Sequence, residues 1–225
     1  MIVKRVPTGI PRLDSLMEGG LIQGSANMVT GETGTGKTIF ALQFLWEGLK
    51  KGDTCIYITL EESPEDIKAD ALQFGWDLAE YESKGLFRII YHDPAQINNL
   101  GGTIIDEIKR LNAKRLVIDS TSLMALNVES KAQARKILYN IINTIKSAGC
   151  NALLLSEIPE GSDALSRFGV EEFVVDAVIV LNYLEYASGG LDRSLIIRKM
   201  RKTNHGKDIY PMQIGPHGII IKPVD

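Results

Sequence analysis

Short apolar runs alternate along the chain with longer amphipathic stretches. Six runs are apolar almost throughout, which is typical of strands in a parallel sheet covered on both faces; they span residues 26–30, 55–60, 86–91, 115–119, 152–156 and 174–184. Between them, apolar residues at helical spacing predict helices over residues 37–51, 64–74, 103–111 and 131–147. This alternation predicts right-handed βαβ units and therefore a doubly wound α/β sheet.

The pattern changes at residue 174. Two strand-like stretches, 174–186 and 191–201, flank the sequence Ser188-Gly189-Gly190, which predicts an antiparallel hairpin with a glycine turn. Residues 207–222 add one or two further strands. We therefore expect one domain over residues 1–225, in which antiparallel C-terminal strands extend a mostly parallel sheet.

Composition and charge narrow the class of protein. The chain is 44% hydrophobic and 24% charged, which is typical of a globular domain. Its net charge of −3 lacks the basic surplus that supplies affinity for duplex DNA, so a nucleic-acid partner is not expected. Cys55 and Cys150 lie beside apolar runs at a spacing typical of no metal motif, and no apolar run approaches the ~18 residues that cross a bilayer. We expect a soluble cytoplasmic protein with reduced thiols and no membrane contact.

The strongest motif is G-x-x-x-x-G-K-[ST], placed between an apolar strand and an apolar helix. It comprises Gly31, Glu32, Thr33, Gly34, Thr35, Gly36, Lys37 and Thr38, with Ile39 following in the helix. Glycines bring backbone N–H groups close to phosphates, and the helix directs its positive end at the same anion. Lys37 would reach the β- and γ-phosphates of ATP, and the Thr38 hydroxyl would bind Mg²⁺. The alternative is a glycine-rich turn with a chance lysine.

The carboxylate at the end of the predicted strand 115–119 is a second candidate for binding Mg²⁺, after the Thr38 hydroxyl. Asp119 follows three apolar residues, 116–118, which is the Walker B pattern, and would hold Mg²⁺ through water opposite Thr38. Taken alone this signal is weak, because many strands end in an aspartate that caps a turn.

Glu61 and Glu62 follow another predicted strand. Strand ends line the ligand crevice of an open parallel sheet, so either carboxylate is a candidate for orienting the attacking water. The alternative is that both favour the N-terminus of the next helix. The spacing does not choose between them. Ser156-Glu157 also ends a strand, and either senses the γ-phosphate or caps the following loop.

A basic stretch, residues 198–205, ends the second hairpin strand. Strand alternation places Lys199 and Arg201 on one face, where they would straddle a terminal phosphate held by a neighbouring subunit, as an arginine finger does. A charged edge strand that discourages aggregation explains the same pattern.

Together these motifs resemble the KaiC family of the RecA superfamily. The resemblance covers about residues 1–222 and rests on Thr8-Gly-Ile-Pro-Arg-Leu-Asp14, Gly19-Gly20-Leu21, the phosphate motif, Glu61-Glu62, residues 116–119 and Lys199-Met-Arg201 with His205. It implies a RecA-like P-loop NTPase fold and ATP with Mg²⁺ held between the subunits of a hexameric ring. It also implies that Glu61 and Glu62 are catalytic and that Lys199, Arg201 and His205 contact the neighbour's nucleotide.

One departure bears on the reaction. The family's kinase-type domain carries Ser and Thr phosphoacceptors where this chain has Glu172 and Phe173, aligned on Asp176. The resemblance therefore favours an ATPase, although Ser162, Ser166 and Thr203 could still serve as acceptors in a serine/threonine autokinase. Two more functions fit the same motifs. One is a recombinase-type ATPase that binds DNA, and the other is a regulatory module that scarcely hydrolyses ATP and signals to a protein partner.

Overall fold

The computed structural model describes residues 3–123, 130–162, 164–185 and 191–223. The strands are β1 Arg5–Val6, β2 Leu21–Ile22, β3 Ala26–Gly31, β4 Cys55–Thr59, β5 Phe87–Tyr91, β6 Arg115–Asp119, β7 Asn151–Glu157, β8 Ala177–Glu185, β9 Leu191–Met200, β10 Tyr210–Gly215 and β11 Gly218–Ile221. The helices are α1 Leu13–Leu16, α2 Lys37–Lys50, α3 Pro64–Gln73, α4 Leu78–Ser83, α5 Leu100–Leu111, α6 Lys131–Ser147 and α7 Glu171–Val174, with a 3₁₀ helix at Pro94–Asn99.

One large sheet of nine strands has the order β11-β10-β9-β8-β3-β7-β6-β4-β5, and β1 pairs with β2 in a separate ribbon. Strands from β8 to β5 in that order are mutually parallel, whereas β8-β9, β9-β10 and β10-β11 are antiparallel pairs. This confirms the predicted α/β sheet with antiparallel C-terminal strands. The carboxyl ends of β3, β4, β6 and β7 consequently meet at one edge, where ligands bind in open α/β sheets.

Helices cover both faces of the sheet. Helices α1 to α4 and the inner side of β10 and β11 enclose one apolar cluster, whereas α5 and α6 cover the other. Successive residues of a strand serve opposite clusters, as Ile56 and Tyr57 of β4 show. None of the helices in the described segments has the length and apolar character needed to cross a membrane.

Capping side chains explain where the amphipathic helices begin. Ser63 accepts a hydrogen bond from the Asp66 N–H and Pro64 occupies the first turn of α3, as the sequence predicts. Ser130 caps α6 in the same way, and this helix has its predicted bounds. Helix α5 begins at Leu100 rather than at residue 103, because the 3₁₀ helix leads directly into it.

The prediction of a strand from residue 174 was wrong at its start. Residues 171–174 form α7, and β8 begins only at Ala177. The buried Glu171 carboxylate accepts the N–H groups of Phe168 and Val170, which turns the chain before the strand. The antiparallel hairpin of β8 and β9 is confirmed, whereas its predicted glycine turn, 188–190, lies outside the described residues.

Candidate functional site

The phosphate motif forms the loop between β3, which ends at Gly31, and α2, which begins at Lys37. Gly34 and Gly36 have φ angles of 77° and 105°, a region that favours glycine. A Cβ at Gly34 would also lie 2.7 Å from the hydroxyl oxygen of Tyr183. The loop therefore requires glycine at both positions, and its backbone leads into a helix N-terminus suited to an anion.

Lys37 lies over this loop. Its ammonium donates to the carbonyl oxygens of Gly31 at 3.1 Å and Glu32 at 2.9 Å. Burial lowers its pKa, while the nearby charges of Glu157 and Asp119 oppose that change. An ammonium held by carbonyl groups in a half-buried position is a good donor to phosphate oxygens.

Thr38, in the first turn of α2, and Asp119, the last residue of β6, lie in contact with each other. The Thr38 hydroxyl donates to Asp119 Oδ2 at 3.1 Å, and burial raises the pKa of Asp119. One hydroxyl and one carboxylate fit Mg²⁺, which keeps several waters and takes its other ligands from substrate phosphates. Among the described residues, no three His, Cys, Asp or Glu side chains are placed to hold a metal ion by themselves.

Glu61 and Glu62 lie just beyond the end of β4. The Thr59 hydroxyl organises this turn, since it accepts the N–H groups of Glu61 at 3.3 Å and Glu62 at 3.0 Å. Ser120 Oγ is 3.4 Å from Glu61 Oε1. Partial burial is the largest cause that raises the pKa of both carboxyl groups. The negative charge of Glu157 raises the pKa of Glu61 further, and that of Asp119 raises the pKa of Glu62.

These groups surround one cleft of about 210 Å³. It is lined by Thr33, Gly34, Lys37, Thr38, Thr59, Glu61, Glu62, Asp119, Ser120 and Glu157. The lining holds four carboxylates and a single ammonium, so it suits a cation together with a polyphosphate better than it suits a phosphate alone. Its volume lies below the ~300 Å³ at which small-molecule sites typically begin.

Ser156 and Glu157, for which the sequence leaves two roles open, have different surroundings in the structure. Ser156 Oγ accepts the Arg167 N–H at 3.4 Å and lies 3.4 Å from a Glu171 carboxylate oxygen, so it orders the following loop. Glu157 lines the cleft instead, close enough to Lys37 to act on its pKa.

Lys199 and Arg201 lie far from this cleft within the same chain. Lys199 Nζ donates to the carbonyl oxygens of Glu172 and Val175, and burial lowers its pKa. Arg201 pairs with Asp176 at 3.4 Å. The Asp176 backbone N–H bonds the carbonyl oxygen of Ala26, the first residue of β3, whereas the phosphate loop follows the last residue of that strand.

His205 and Ile39 also stand apart from the cleft. His205 Nδ1 is 2.7 Å from the Gly206 carbonyl oxygen, and Ile39 packs against the core on α2. Neither side chain lines the cleft within one chain, so a nucleotide contact by His205 requires another copy, as the resemblance implies.

The side chains of Tyr57, Arg193 and Tyr183 are among those at the site that were not predicted. Tyr57 donates to Asp119 Oδ2 at 2.5 Å. Arg193 donates to the Gly34 carbonyl oxygen at 3.1 Å through Nη2, and the Tyr183 hydroxyl lies 3.4 Å from the Thr33 carbonyl oxygen. Tyr57 has a sequence signal, because it carries the only hydroxyl among residues 55–58, two positions before Thr59. Arg193 has none, because its contact depends on the register in which it pairs with Tyr183.

Comparison with known proteins places this site in context. A family model described as "ATPase: KaiC" matches residues 6–225. A UPF0273 protein of Pyrococcus horikoshii is 36% identical over 99% of this chain and 95% of its own length. The circadian clock protein KaiC3 of a Synechocystis strain is 31% identical over 99% of this chain and 46% of its own length. The crystal structure of a KaiC-like protein from Pyrococcus horikoshii superposes with a TM-score of 0.90 at 40% identity, covering 99% of this chain and 100% of that one.

Proposed function

Because the chain belongs to the KaiC family of ATPases, we propose that it binds ATP with Mg²⁺ in the 210 Å³ cleft and hydrolyses it. The observation that carries this proposal is the convergence of Lys37, Thr38, Asp119 and Glu61 on one cleft from separate segments of the chain. Lys37 and the loop N–H groups hold the phosphates, and Thr38 and Asp119 hold the metal. Bound Mg²⁺ would offset charge on the β- and γ-phosphates.

Glu61 is the proposed group that orients the attacking water. The positive charge of Lys37 acts on Glu61 and partly offsets the rise in its pKa. In contrast, every charge that acts on Glu62 is acidic. A carboxylate close to the phosphate-binding ammonium lies where water can approach the γ-phosphate. Its raised pKa also makes it a stronger base than an ordinary glutamate.

Water is proposed as the phosphoryl acceptor in preference to a protein hydroxyl. Ser166 is fully buried and donates to Glu171 Oε2 at 2.7 Å, which keeps its hydroxyl away from a nucleotide. Thr203 accepts a hydrogen bond from Arg5 at 2.7 Å. Glu172 and Phe173, at the positions of the family's phosphoacceptors, have no hydroxyl.

The proposed assembly is a head-to-tail ring, hexameric by resemblance, in which Lys199, Arg201 and His205 of one copy reach nucleotide on the next. Its support is geometric, since Lys199 and Arg201 lie at the opposite end of the parallel strands from the acidic cleft. A surface that differs at its two ends joins heterologously and closes into a ring when the rotation permits. Since one relative is a circadian clock protein, we further propose a regulatory role, exerted on a protein partner through nucleotide-dependent assembly.

Replacing Lys37 tests the proposed activity. Lys37→Ala should lower the rate of phosphate release from ATP by about 10²-fold or more, because it removes a charge from the transferring phosphoryl group. Lys50→Ala, at the other end of the same helix, is the matched control and should hydrolyse ATP at the parental rate. An unchanged rate in Lys37→Ala, measured with Mg²⁺ present, would contradict the proposal.

A further inference from the structure

A fully buried tyrosine contacts Asp119, one of the two residues proposed to hold the metal. Tyr57 is 0% exposed, and its register partners are Ile89 on β5 and Val117 on β6. Its hydroxyl donates to Asp119 Oδ2 at 2.5 Å, and the same oxygen accepts the Thr38 hydroxyl at 3.1 Å. One oxygen of Asp119 therefore accepts hydrogen bonds both from a buried tyrosine and from the other residue that would hold the metal.

This arrangement restrains one oxygen of the carboxylate and leaves the other available. Two donors converge on Oδ2, whereas within the described residues no hydrogen-bond donor is found at Oδ1. Fixing one oxygen limits rotation of the whole carboxyl group, because its two oxygens turn together about the Cβ–Cγ bond. Partners behind a metal ligand act in this way, by orienting the group that faces the ion.

We propose that Tyr57 is a positioning residue, which holds Asp119 in the orientation that Mg²⁺ binding requires. Because its side chain is fully buried and its hydroxyl bonds Asp119, it would act on the metal through Asp119. The proposal rests on the proposed function, since it assigns a role within the same metal site. A tyrosine that merely filled the core would be replaced by phenylalanine without effect on the metal.

The decisive measurement is the Mg²⁺ dependence of nucleotide binding in Tyr57→Phe. The Mg²⁺ concentration that gives half-maximal binding of N-methylanthraniloyl-ATP should rise by about tenfold, the effect of one hydrogen bond to a charged group. Binding of the same probe in excess EDTA should be unchanged. Tyr210→Phe is the matched control, because Tyr210 is also buried and its hydroxyl accepts the Asp208 N–H at 3.5 Å, in a separate part of the fold.

A second variant and a stability measurement separate positioning from packing. In an Asp119→Ala background, Tyr57→Phe should cause no further shift of the Mg²⁺ midpoint, because its hydroxyl then has no carboxylate to orient. An unchanged midpoint in Tyr57→Phe alone would overturn the proposal, even if the metal-free variant melted at a lower temperature. Failure of the parent protein to bind the probe at all would instead overturn the proposed function.

Discussion

At the scale of single residues, the cleft concentrates like charges that folding alone does not favour. Glu61, Glu62 and Asp119 each have a raised pKa, with burial as the largest cause. Only Lys37 opposes them among the residues that line the cleft. The protein without ligand therefore carries a local electrostatic penalty that a bound cation would relieve, which is a common compromise between stability and activity.

Replacing Glu61 should reveal this penalty as a function of pH. Because its folded-state pKa is raised above the ordinary value of 4.5, the folded protein retains this proton to higher pH than the unfolded chain. Its contribution to stability is thus full below pH 4.5 and is lost as pH rises through the folded pKa. Glu61→Gln should raise the melting temperature of the ligand-free protein at pH 7 by roughly 1–3 °C.

The same substitution should remove the proposed base. Turnover should fall about 10²–10⁴-fold, while the gain in melting temperature disappears as the pH is lowered towards 4.5. Phosphate release measures the turnover, and thermal unfolding at a series of pH values measures the change in melting temperature. Glu160→Gln, on an exposed loop, is the control. A melting temperature that falls at pH 7 in Glu61→Gln would contradict the argument.

Much of the candidate site could be predicted residue by residue, because strand-end positions follow from chain order. The rule that parallel strands end at one edge is enough to predict that Glu61, Glu62 and Asp119 lie close together. Tyr57 and Arg193 could not be found in this way. Each acts through a contact set by the register between strands, and one sequence does not specify which strands become neighbours.

At the scale of secondary-structure elements, α2 and β6 pack unusually closely. Arg115, the first residue of β6, is 1% exposed, donates to the carbonyl oxygens of Pro7 and Phe44 at 2.8 Å, and stacks on the Phe44 ring. Asp53 supplies its counter-charge at 2.9 Å. A Cβ at Gly48 of α2 would lie 2.5 Å from Arg115 Cδ, so glycine is what lets the helix approach.

Two glycine-to-alanine substitutions should therefore have opposite effects. Gly48→Ala should lower the free energy of unfolding by about 1–3 kcal/mol, because the added methyl group collides with a buried, hydrogen-bonded guanidinium. Gly102→Ala in α5 should raise it by ~0.5–1 kcal/mol, because nothing lies within 4 Å of the added atom and alanine favours the helix. Urea unfolding measures both. A stabilised Gly48→Ala variant would contradict the packing argument.

The predicted elements succeeded where the apolar pattern was long and failed where tertiary contacts decided. Helix α6 has its predicted bounds, since it has an apolar stripe, a serine cap and a glycine stop. The two-residue strands β1 and β2 are too short for any periodicity. Helix α7 was hidden because Glu171 looks like a surface residue in the sequence, yet its buried carboxylate accepts backbone N–H groups.

At the scale of the whole molecule, the acidic cleft and the two cations Lys199 and Arg201 lie at opposite ends of the parallel strands. The acidic cleft lies beyond Gly31 at one end of β3, and Lys199 and Arg201 lie near Ala26 at the other. A side chain at one end cannot reach the cleft of the same chain. If Lys199 and Arg201 assist hydrolysis, each active site is therefore built from two copies of the chain. Two variants that each lack a different part of the site should then complement each other when they are mixed.

Mixing two inactive variants should restore part of the activity. The Lys37→Ala variant has a damaged phosphate loop and an intact Arg201. The Arg201→Ala variant has an intact phosphate loop and lacks the arginine. In an equimolar mixture assembled at random, about one quarter of the sites pair an intact loop with an intact Arg201, so phosphate release should recover to about one quarter of the parental rate. Mixing Arg201→Ala with the double variant Lys37→Ala/Arg201→Ala should restore nothing, because no copy then supplies the arginine. Equal rates in the two mixtures, measured after reassembly is verified by native mass, would exclude action of Arg201 between subunits.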